Sequence, residues 1–239
     1  MKFLNPSMDF PTVTPEEMKK AAAIEALKLV RDGMVLGIGT GSTVNYFIDA
    51  LKDLVAQGVR IRGVATSIES SERARAAGVN VEDDYAGNVD LDVDGADEMD
   101  GSGNLVKGGG GALLREKIVA YNSRNVCIIA DESKLKENGI GTFRVPVEVL
   151  PYLNQMTRNQ VEKIGGICIF RENGKYRTDN GNMVMDCDFG IIKNPPEMER
   201  KIKMIPGVME VGLFSNLATM AIVAGQDGIR TLNFKNFNP

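Results

Sequence analysis

Apolar runs and helix-like patterns alternate along the first part of this 239-residue chain. Residues 34–38 form a short apolar run that is typical of a buried strand, and the apolar positions of residues 47–54 recur with the period of a helix. The same reasoning predicts strands at 62–65, 89–94 and 125–130 and helices at 15–30, 69–77 and 112–122. Strands that alternate with helices indicate a parallel α/β sheet.

The pattern changes near residue 143. Over residues 143–214 the predicted order is strand, helix, strand, strand, helix, strand, which is that of a split, ferredoxin-like α+β module. Two further strands, at 218–224 and 229–234, would return to the first sheet. We therefore predict a Rossmann-like parallel-sheet domain, residues 1–142 plus 215–239, with residues 143–214 inserted as a smaller ferredoxin-like α+β domain.

Charge and composition argue against several classes of protein. The formal net charge of −4 disfavours a nucleic-acid or membrane surface, and no apolar run is long enough to span a bilayer. The N-terminal residues lack the apolar core of a signal peptide and the arginines of a transit peptide. We expect a cytoplasmic protein without nucleic-acid or membrane partners.

Histidine is absent and cysteine is scarce, which narrows the possible chemistry. Without histidine there is no histidine base and no histidine-ligated metal, so a general base must be Asp, Glu, Lys, Tyr or Cys. The three cysteines, Cys127, Cys168 and Cys187, are widely spaced and form no Cys-x-x-Cys motif. This spacing is typical of reduced thiols in a cytosolic protein, and we predict three free thiols.

Polar or glycine-rich motifs follow four of the predicted strands, at 39–43, 66–67, 94–97 and 131–134. In open α/β sheets, ligands bind outside the carboxyl ends of the strands. These motifs are distant in sequence, but we expect them to share one cleft.

The motif Gly39-Thr40-Gly41-Ser42-Thr43 follows a strand and opens a helix. Its N–H groups and hydroxyls favour an anion at the positive end of the helix dipole. The alternative is a tight turn in which a serine or threonine caps the helix. Because the segment lacks the third glycine of a dinucleotide fingerprint and the lysine of a P-loop, we favour a single phosphate as its ligand.

Residues 107–117 contain four consecutive glycines between Lys107 and a predicted helix. Such a run costs backbone entropy, so a folded chain keeps it where the backbone must approach a ligand. A flexible linker is the alternative, but linkers have polar flanks, whereas this run leads into an amphipathic helix. We predict a cradle for an oxyanion or hydroxyl, with Glu116 in the first helical turn.

The segment Asp94-Gly95-Ala96-Asp97 could be an ordinary turn, because Asp-Gly pairs are common in turns. Asp94, however, ends a strand at the predicted ligand-binding edge, which favours a functional role. We interpret the other acidic residues nearby as solvated, capping or loop-surface groups: Asp83, Asp84, Asp90, Asp92, Glu98 and Asp100. We interpret Arg115 and Lys117 as surface or pairing groups, and Lys134 as either a solvated charge or a phosphate contact.

Together, these motifs resemble those of the type A ribose-5-phosphate isomerases. The similarity runs from about Glu16 to the last strand and includes residues 39–43, 94–98, 107–110, 115–117, 130–134, 145–149, 178–182 and 205–214. Residues 1–13 are an additional N-terminal piece. The fourth glycine, Gly111, and Leu114 are small departures from the family pattern.

The resemblance implies an aldose–ketose isomerase that interconverts D-ribose 5-phosphate and D-ribulose 5-phosphate in the pentose phosphate pathway, with no metal or other cofactor. It implies that Glu116 is the proton acceptor, that Asp94 and Lys107 assist ring opening or polarise oxygens, and that Asp97 orients a hydroxyl. It implies substrate binding by Thr40, Gly41, Ser42, Thr43, Gly95, Ala96, Gly108, Gly109, Gly110 and Lys134. Burial would raise the pKa of Glu116 and Lys107 would lower it, and the sequence leaves the balance open.

Two alternatives remain open at this point. Related folds host CoA transferases and amino-sugar phosphate deaminases, although the deaminase arrangement includes a histidine that this chain lacks. A non-catalytic sugar-phosphate sensor is the second, although the negative charge and short N-terminal piece argue against a DNA-binding region. We expect a pentose phosphate as the small-molecule partner. The resemblance also implies a homo-oligomer, a dimer or tetramer. We expect the inserted domain to support it, because that domain is predicted to lie away from the cleft.

Overall fold

A computed structural model describes residues 13–234 of the chain. The α-helices of this part are α1 (Pro15–Leu27), α2 (Ser42–Ala56), α3 (Ile68–Ala76), α4 (Leu113–Tyr121), α5 (Asn154–Glu162) and α6 (Pro195–Lys203). Helix α1 begins with the predicted capping box, in which the side chains of Thr14 and Glu17 accept hydrogen bonds from each other's backbone N–H. No helix between residues 13 and 234 is long and apolar enough to cross a membrane. Of the predicted N-terminal piece, residues 1–12 lie outside the described residues.

Fifteen strands complete the regular structure of residues 13–234, and together they form three sheets. They are β1 (Val35–Ile38), β2 (Arg62–Ala65), β3 (Asn80–Val81), β4 (Leu91–Asp94), β5 (Glu98–Asp100), β6 (Leu105–Val106), β7 (Val126–Asp131), β8 (Leu135–Lys136), β9 (Val145–Val149), β10 (Ile167–Phe170), β11 (Met183–Asp188), β12 (Val208–Val211), β13 (Leu213–Phe214), β14 (Met220–Gly225) and β15 (Gly228–Asn233).

The main sheet has seven strands in the order β15-β14-β7-β4-β1-β2-β3. All neighbouring pairs are parallel except β14 and β15, which form an antiparallel hairpin at one edge. The prediction of a Rossmann-like parallel sheet is confirmed. The last two strands, β14 and β15, return to this sheet after the strands of the second sheet, as the pattern of apolar residues predicts.

The second sheet contains β9 to β12 in the order β10-β11-β9-β12, with every neighbouring pair antiparallel. Helix α5 connects β9 to β10, and helix α6 connects β11 to β12. This is the predicted β-α-β-β-α-β arrangement of a ferredoxin-like module. Its core contains Val147, Val161, Ile202 and Val211, all fully buried.

A third, small sheet, in the order β13-β6-β5-β8, is absent from the sequence-based prediction. Its strands are two or three residues long, which is too short for an alternating apolar pattern to be recognised. Its strand β5 follows the Asp94–Asp97 segment of the main sheet, β8 precedes the second sheet, and β13 follows it. It therefore connects the site-bearing loops to the inserted region.

Both faces of the main sheet are covered by helices. Helices α1, α2 and α3 pack on one face, where apolar side chains of β1, β4 and β7 contribute to a common core. Helix α4 covers the opposite face, where Leu113 and Ala120 pack against Ile128. Because side chains alternate along a strand, Asp92 and Asp94 of β4 point to the α4 face, opposite to Leu91 and Val93.

Glu98 is buried, and its interpretation as a loop-surface residue was wrong. Only 1% of it is exposed, and its carboxylate accepts hydrogen bonds from the N–H groups of Gly141 (2.7 Å) and Phe143 (2.8 Å) and from the Thr142 hydroxyl. The residue begins β5 of the small sheet, which the sequence pattern does not reveal. Glu98 thus fixes the segment through which the chain enters the second sheet.

Cys168 and Cys187 form a disulfide, so the prediction of three free thiols was wrong for these two residues. They lie directly opposite each other on β10 and β11, with their Cα atoms 4.1 Å apart. The register that brings them together is set by the packing of the sheet and is invisible in their sequence spacing. Cys127 is free, and burial raises the pKa of its thiol to about 12.

The substitution Glu98→Gln should lower the free energy of unfolding by about 2–3 kcal/mol, because a neutral amide replaces a carboxylate that serves several buried donors. Denaturant unfolding measures this change. Glu72→Gln, at an exposed position of α3, is the matched control and should change stability by less than about 0.5 kcal/mol. Equal stability of the two variants would contradict the role given to Glu98.

Candidate active site

The loops that follow β1 and β4 lie side by side, because these strands are neighbours in the main sheet. The chain leaves β1 toward β2 on one side and leaves β4 toward β7 on the other, so a crevice opens between the two loops. The cleft there has a volume of about 290 Å³, which suits a small ligand. Its lining includes Lys19, Thr40, Gly41, Ser42, Thr43, Gly95, Ala96, Asp97, Lys107, Gly108, Gly109, Gly110, Glu116 and Lys134.

The cleft thus brings together the residues that the sequence predicted as substrate-binding, and three of the four predicted as catalytic. Asp94, the fourth, does not line the cleft but lies buried directly behind it, with 1% of its surface exposed. Residues 40–44, 95–97 and 134 meet here because β1, β4 and β7 of one parallel sheet end at the same edge, whereas residues 66–67 after β2 do not line the cleft.

Lys107 lies between two buried carboxylates. Its Nζ is 2.9 Å from Asp94 Oδ2 and 3.4 Å from Glu116 Oε2, and it donates a hydrogen bond of 2.5 Å to the carbonyl oxygen of Gly95. At most 4% of each of these three side chains is exposed. Two carboxylates therefore share one ammonium in a region from which water is largely excluded.

Asp94 is held in place by the backbone around it. The N–H groups of Gly95 and Thr40 donate hydrogen bonds to its Oδ1, at 2.7 and 3.2 Å. A Cβ atom at Gly39, the residue after β1, would overlap the carboxylate. Only glycine therefore allows the backbone to pass this close to Asp94.

The open question about Glu116 is answered by its surroundings. Burial raises the pKa of this carboxyl to about 8, although the Lys107 ammonium opposes the change. Burial alone would lower the pKa of Lys107, but Asp94 and Glu116 hold it above its ordinary value, so the lysine keeps its proton. A glutamate that titrates near neutral pH beside a permanent cation is suited to accept and return a proton.

Asp92 was interpreted as solvated or capping, and the structure contradicts this. It is fully buried, and neither carboxylate oxygen has a hydrogen-bond partner among the described residues. Burial, and then the nearby Asp94 carboxylate, raise its pKa well above the ordinary value. The residue fits because Gly37, on the neighbouring strand, has no side chain where the carboxylate lies. Asp90, by contrast, does act as a cap: its carboxylate accepts a hydrogen bond of 2.9 Å from the N–H of Val35, the first residue of β1.

Two distant parts of the chain hold the backbone of the glycine run by hydrogen bonds. On the cleft side, the N–H of Gly109 donates to Asp97 Oδ2 at 2.7 Å. The Arg171 guanidinium donates to the carbonyl oxygens of Gly108 and Gly109, at 3.2 and 3.1 Å. Arg171 follows β10 of the second sheet, so the inserted region contacts the glycine run although it contributes no residue to the lining of the cleft.

Helix α2 begins without a side-chain cap. Its N-cap residue is Gly41, with φ of +126°, and no side chain accepts a hydrogen bond from the first turn. The alternative of a serine or threonine cap is therefore wrong. Because the first N–H groups of a helix have no partner within it, those of Ser42 and Thr43 can bind an anion in the cleft. The Thr40 hydroxyl instead contacts the hydroxyls of Thr66 and Ser67, at 2.7 and 2.9 Å.

Two lysines reach the cleft from opposite sides. Lys134 was predicted as one of two alternatives, and it lines the cleft. Lys19 of α1 also lines it, and sequence reasoning missed this residue. Nothing in the sequence distinguishes Lys19 from its neighbour Lys20, which is exposed on the same helix.

Arg115 and Lys117, on either side of Glu116, are pairing groups, in agreement with their interpretation. Lys117 contacts Glu199 and Glu210 at 2.7 and 2.9 Å, and Arg115 donates a hydrogen bond of 2.8 Å to Asn180. These contacts join α4 to the inserted region and fix the helix that carries Glu116. Between residues 13 and 234, no group of three or more His, Cys, Asp or Glu side chains is arranged to hold a metal ion.

Comparison with known proteins identifies the family of this chain. The family model described as ribose 5-phosphate isomerase A (phosphoriboisomerase A) matches residues 62–228. A ribose-5-phosphate isomerase A of Picrophilus torridus is 48% identical over 220 residues, covering 92% of this chain and 99% of that protein. The solved ribose 5-phosphate isomerase of Plasmodium falciparum is 37% identical, with a TM-score of 0.88, over 92% of this chain and 99% of its own.

A second solved D-ribose-5-phosphate isomerase, also 37% identical and with a TM-score of 0.88, is in complex with phospho-erythronic acid. It covers 92% of this chain and 99% of its own. The chain therefore belongs to the ribose 5-phosphate isomerase A family, and it is an isomerase. This membership decides against the deaminase, CoA-transferase and sensor alternatives.

Proposed function

We propose that this protein interconverts D-ribose 5-phosphate and D-ribulose 5-phosphate, with Glu116 as the group that moves the proton. The observation that carries the proposal is the buried Glu116 carboxyl, 3.4 Å from the Lys107 ammonium, at the wall of a cleft of about 290 Å³. Membership of the isomerase family supports the choice of substrate and reaction.

The reaction moves one proton between neighbouring carbons. In the open-chain aldose, Glu116 removes the proton from C2, the C1–C2 double bond forms, and the carbonyl electrons move to O1, giving an enediolate. Glu116 then returns the proton to C1 while O2 becomes the carbonyl and its proton passes to O1, so no atom is gained or lost. A positioned base of this kind typically contributes a factor of ~10²–10⁴ to the rate.

The groups around Glu116 supply the charge that the enediolate requires. The Lys107 ammonium and the N–H of Gly110 stabilise the developing negative oxygen, and preorganised donors of this kind are each worth a factor of ~10²–10³. Lys107, with Asp94 paired behind it, assists the opening of the sugar ring or polarises the sugar oxygens. Asp97, fixed by the N–H of Gly109, orients a sugar hydroxyl.

The phosphate of the substrate binds at the start of α2, between Lys19 and Lys134. The N–H groups of Ser42 and Thr43 point along the helix dipole toward this region, which favours a doubly charged anion. A similar isomerase is in complex with phospho-erythronic acid, a phosphorylated ligand, which supports a phosphate as one group of the substrate. Thr40, Gly41, Gly95, Ala96 and Gly108 complete the substrate-binding surface.

Glu116→Gln should retain binding of ribose 5-phosphate but lower kcat at least ~10²-fold, because the amide cannot accept the proton from C2. Conversion to ribulose 5-phosphate, together with calorimetric binding, measures the two properties separately. Glu69→Gln, at an exposed position in the first turn of α3, is the matched control and should keep normal turnover. Near-normal turnover of Glu116→Gln would remove Glu116 from this role.

The pH dependence of kcat/KM should report the titration of Glu116, whose pKa is raised to about 8. Below this pH the carboxyl is protonated and cannot act as base, so kcat/KM should fall by about tenfold per pH unit and reach a plateau above pH 8. The substrate phosphate titrates near pH ~6, which separates its effect from that of Glu116. A fall centred near the ordinary glutamate value of 4.5 would contradict the assignment.

We also propose that residues 143–214 form a separate domain that supports a homo-oligomer. The second sheet has its own buried core, which supports the division from residues 1–142 and 215–239. Around α5 and the end of α6, large apolar side chains remain exposed: Leu150, Tyr152, Leu153, Met156 and Met204. Apolar clusters of this kind on a surface are typical of protein–protein contacts, and a second copy of the chain is the proposed occupant.

Sedimentation should therefore show an assembly larger than one chain, and Met156→Glu should weaken it by placing a charge in the contact. Met156 is 62% exposed, so its replacement should leave the fold intact. Ile24→Glu, on the exposed face of α1, is the control and should leave the assembly unchanged. A monomeric wild-type protein, or an assembly indifferent to Met156→Glu, would contradict the proposal.

A further inference from the structure

The carbonyl oxygens of the glycine run are held by side chains that follow β10 in the second sheet. Arg171 donates to the carbonyls of Gly108 and Gly109, and the Tyr176 hydroxyl donates to the carbonyl of Gly110 at 3.3 Å. Three successive peptide groups are thus bound through their carbonyl oxygens. Neither residue was singled out by the sequence, and neither lines the cleft.

Binding a carbonyl oxygen also sets the direction of the N–H in the same peptide group. A trans peptide is planar, with its C=O and N–H pointing in opposite directions. The N–H groups of Gly109 and Gly111 are occupied, by Asp97 and by the carbonyl of Gly108. The N–H of Gly110 has no acceptor among the described residues, and the carbonyl of the same peptide, that of Gly109, is held by Arg171. Among the described residues the N–H of Gly108 also lacks an acceptor, but of these two only the Gly110 N–H belongs to a peptide whose carbonyl Arg171 holds within the run.

Tyr176 holds both Gly110 and the arginine that binds its neighbour. Its ring centre is 5.2 Å from the Arg171 guanidinium, a cation–π contact, while Asp186 pairs with the same guanidinium at 2.6 Å. A Cβ atom at residue 111 would overlap the Tyr176 hydroxyl. The fourth glycine, a departure from the family pattern, is therefore the space into which this tyrosine reaches.

We propose that Tyr176 is a positioning residue for the isomerisation: it fixes the glycine run, with Arg171, so that the N–H of Gly110 points at the oxygen that becomes negative in the enediolate. The proposal rests on the proposed function, because the donor has a role only if an enediolate forms in the cleft. The same role explains why residue 111 is a glycine, since a side chain at this position would displace Tyr176. Tyr176 acts through the backbone and does not touch the substrate.

The substitution Tyr176→Phe removes the hydroxyl and keeps the ring beside Arg171. We expect kcat to fall about three- to tenfold, the effect of one hydrogen bond on a transition state, while KM for ribose 5-phosphate stays within about twofold. Tyr121→Phe is the matched control, because Tyr121 is 62% exposed at the end of α4, and it should leave kcat unchanged. An unchanged kcat in Tyr176→Phe, with an active wild-type enzyme, would overturn the inference and leave the proposed function standing. An inactive wild-type enzyme would instead overturn the proposed function.

Phospho-erythronic acid provides a readout that a purely structural role would not move. Its carboxylate resembles the two oxygens of the enediolate, so its inhibition constant should rise in Tyr176→Phe by the same factor as kcat/KM falls. Weaker inhibition without a change in the melting temperature supports positioning. A lower melting temperature together with a raised KM, and an unchanged inhibition constant, would show that the tyrosine only stabilises the fold. That result would overturn the inference.

A double-mutant cycle tests the link between Gly111 and Tyr176. Gly111→Ala should lower kcat in the wild-type background through both the tyrosine clash and the positive φ of +82°. In a Tyr176→Ala background the clash is absent, so the same change should cost less, and the two effects should not add. Strictly additive effects would show that Gly111 and Tyr176 act independently.

Discussion

The ammonium of Lys107, held between the carboxylates of Asp94 and Glu116, is the interaction on which the rest of the site depends. A buried charge is tolerated only when it is paired, and this one pairs with two carboxylates and a backbone carbonyl. Because two carboxyls share one ammonium, one of the two carboxyls favours its protonated, uncharged form. Glu116 has the fewer hydrogen-bond donors, and it is therefore the carboxyl that can exchange a proton near neutral pH.

The second sheet takes part in the site, although it contributes no residue to the lining of the cleft. The N–H of Lys107 donates to the carbonyl of Gly212, and the N–H of Gly212 donates to that of Pro146, so the lysine backbone is bound between the two sheets. Lys117 and Arg115 attach the helix that carries Glu116 to the same region. Lys107 and Glu116 are thus both aligned by contacts with residues outside the main sheet.

The sequence predicted well what depends on local pattern. The parallel sheet, the ferredoxin-like order of the second sheet and the meeting of residues 39–43, 94–97 and 107–116 at one edge all follow from apolar periodicity and from the geometry of α/β sheets. Burial was harder, because Glu98 and Asp92 look like surface acids until the tertiary structure supplies donors for one and a space beside Gly37 for the other. Contacts between distant segments, such as Arg171 with the glycine run, leave no periodic signal.

Glu98 has a consequence for how the two sheets can move. It follows the Asp94–Asp97 segment directly, and its carboxylate binds the backbone at Gly141 and Phe143, where the chain crosses to the second sheet. A crossing segment fastened at this point cannot serve as a free hinge, and the second sheet cannot swing open as a rigid body without breaking these buried bonds. Because Arg171 of the inserted region binds the glycine run, the hydrogen bonds of Glu98 also help to keep that run in place beside the cleft.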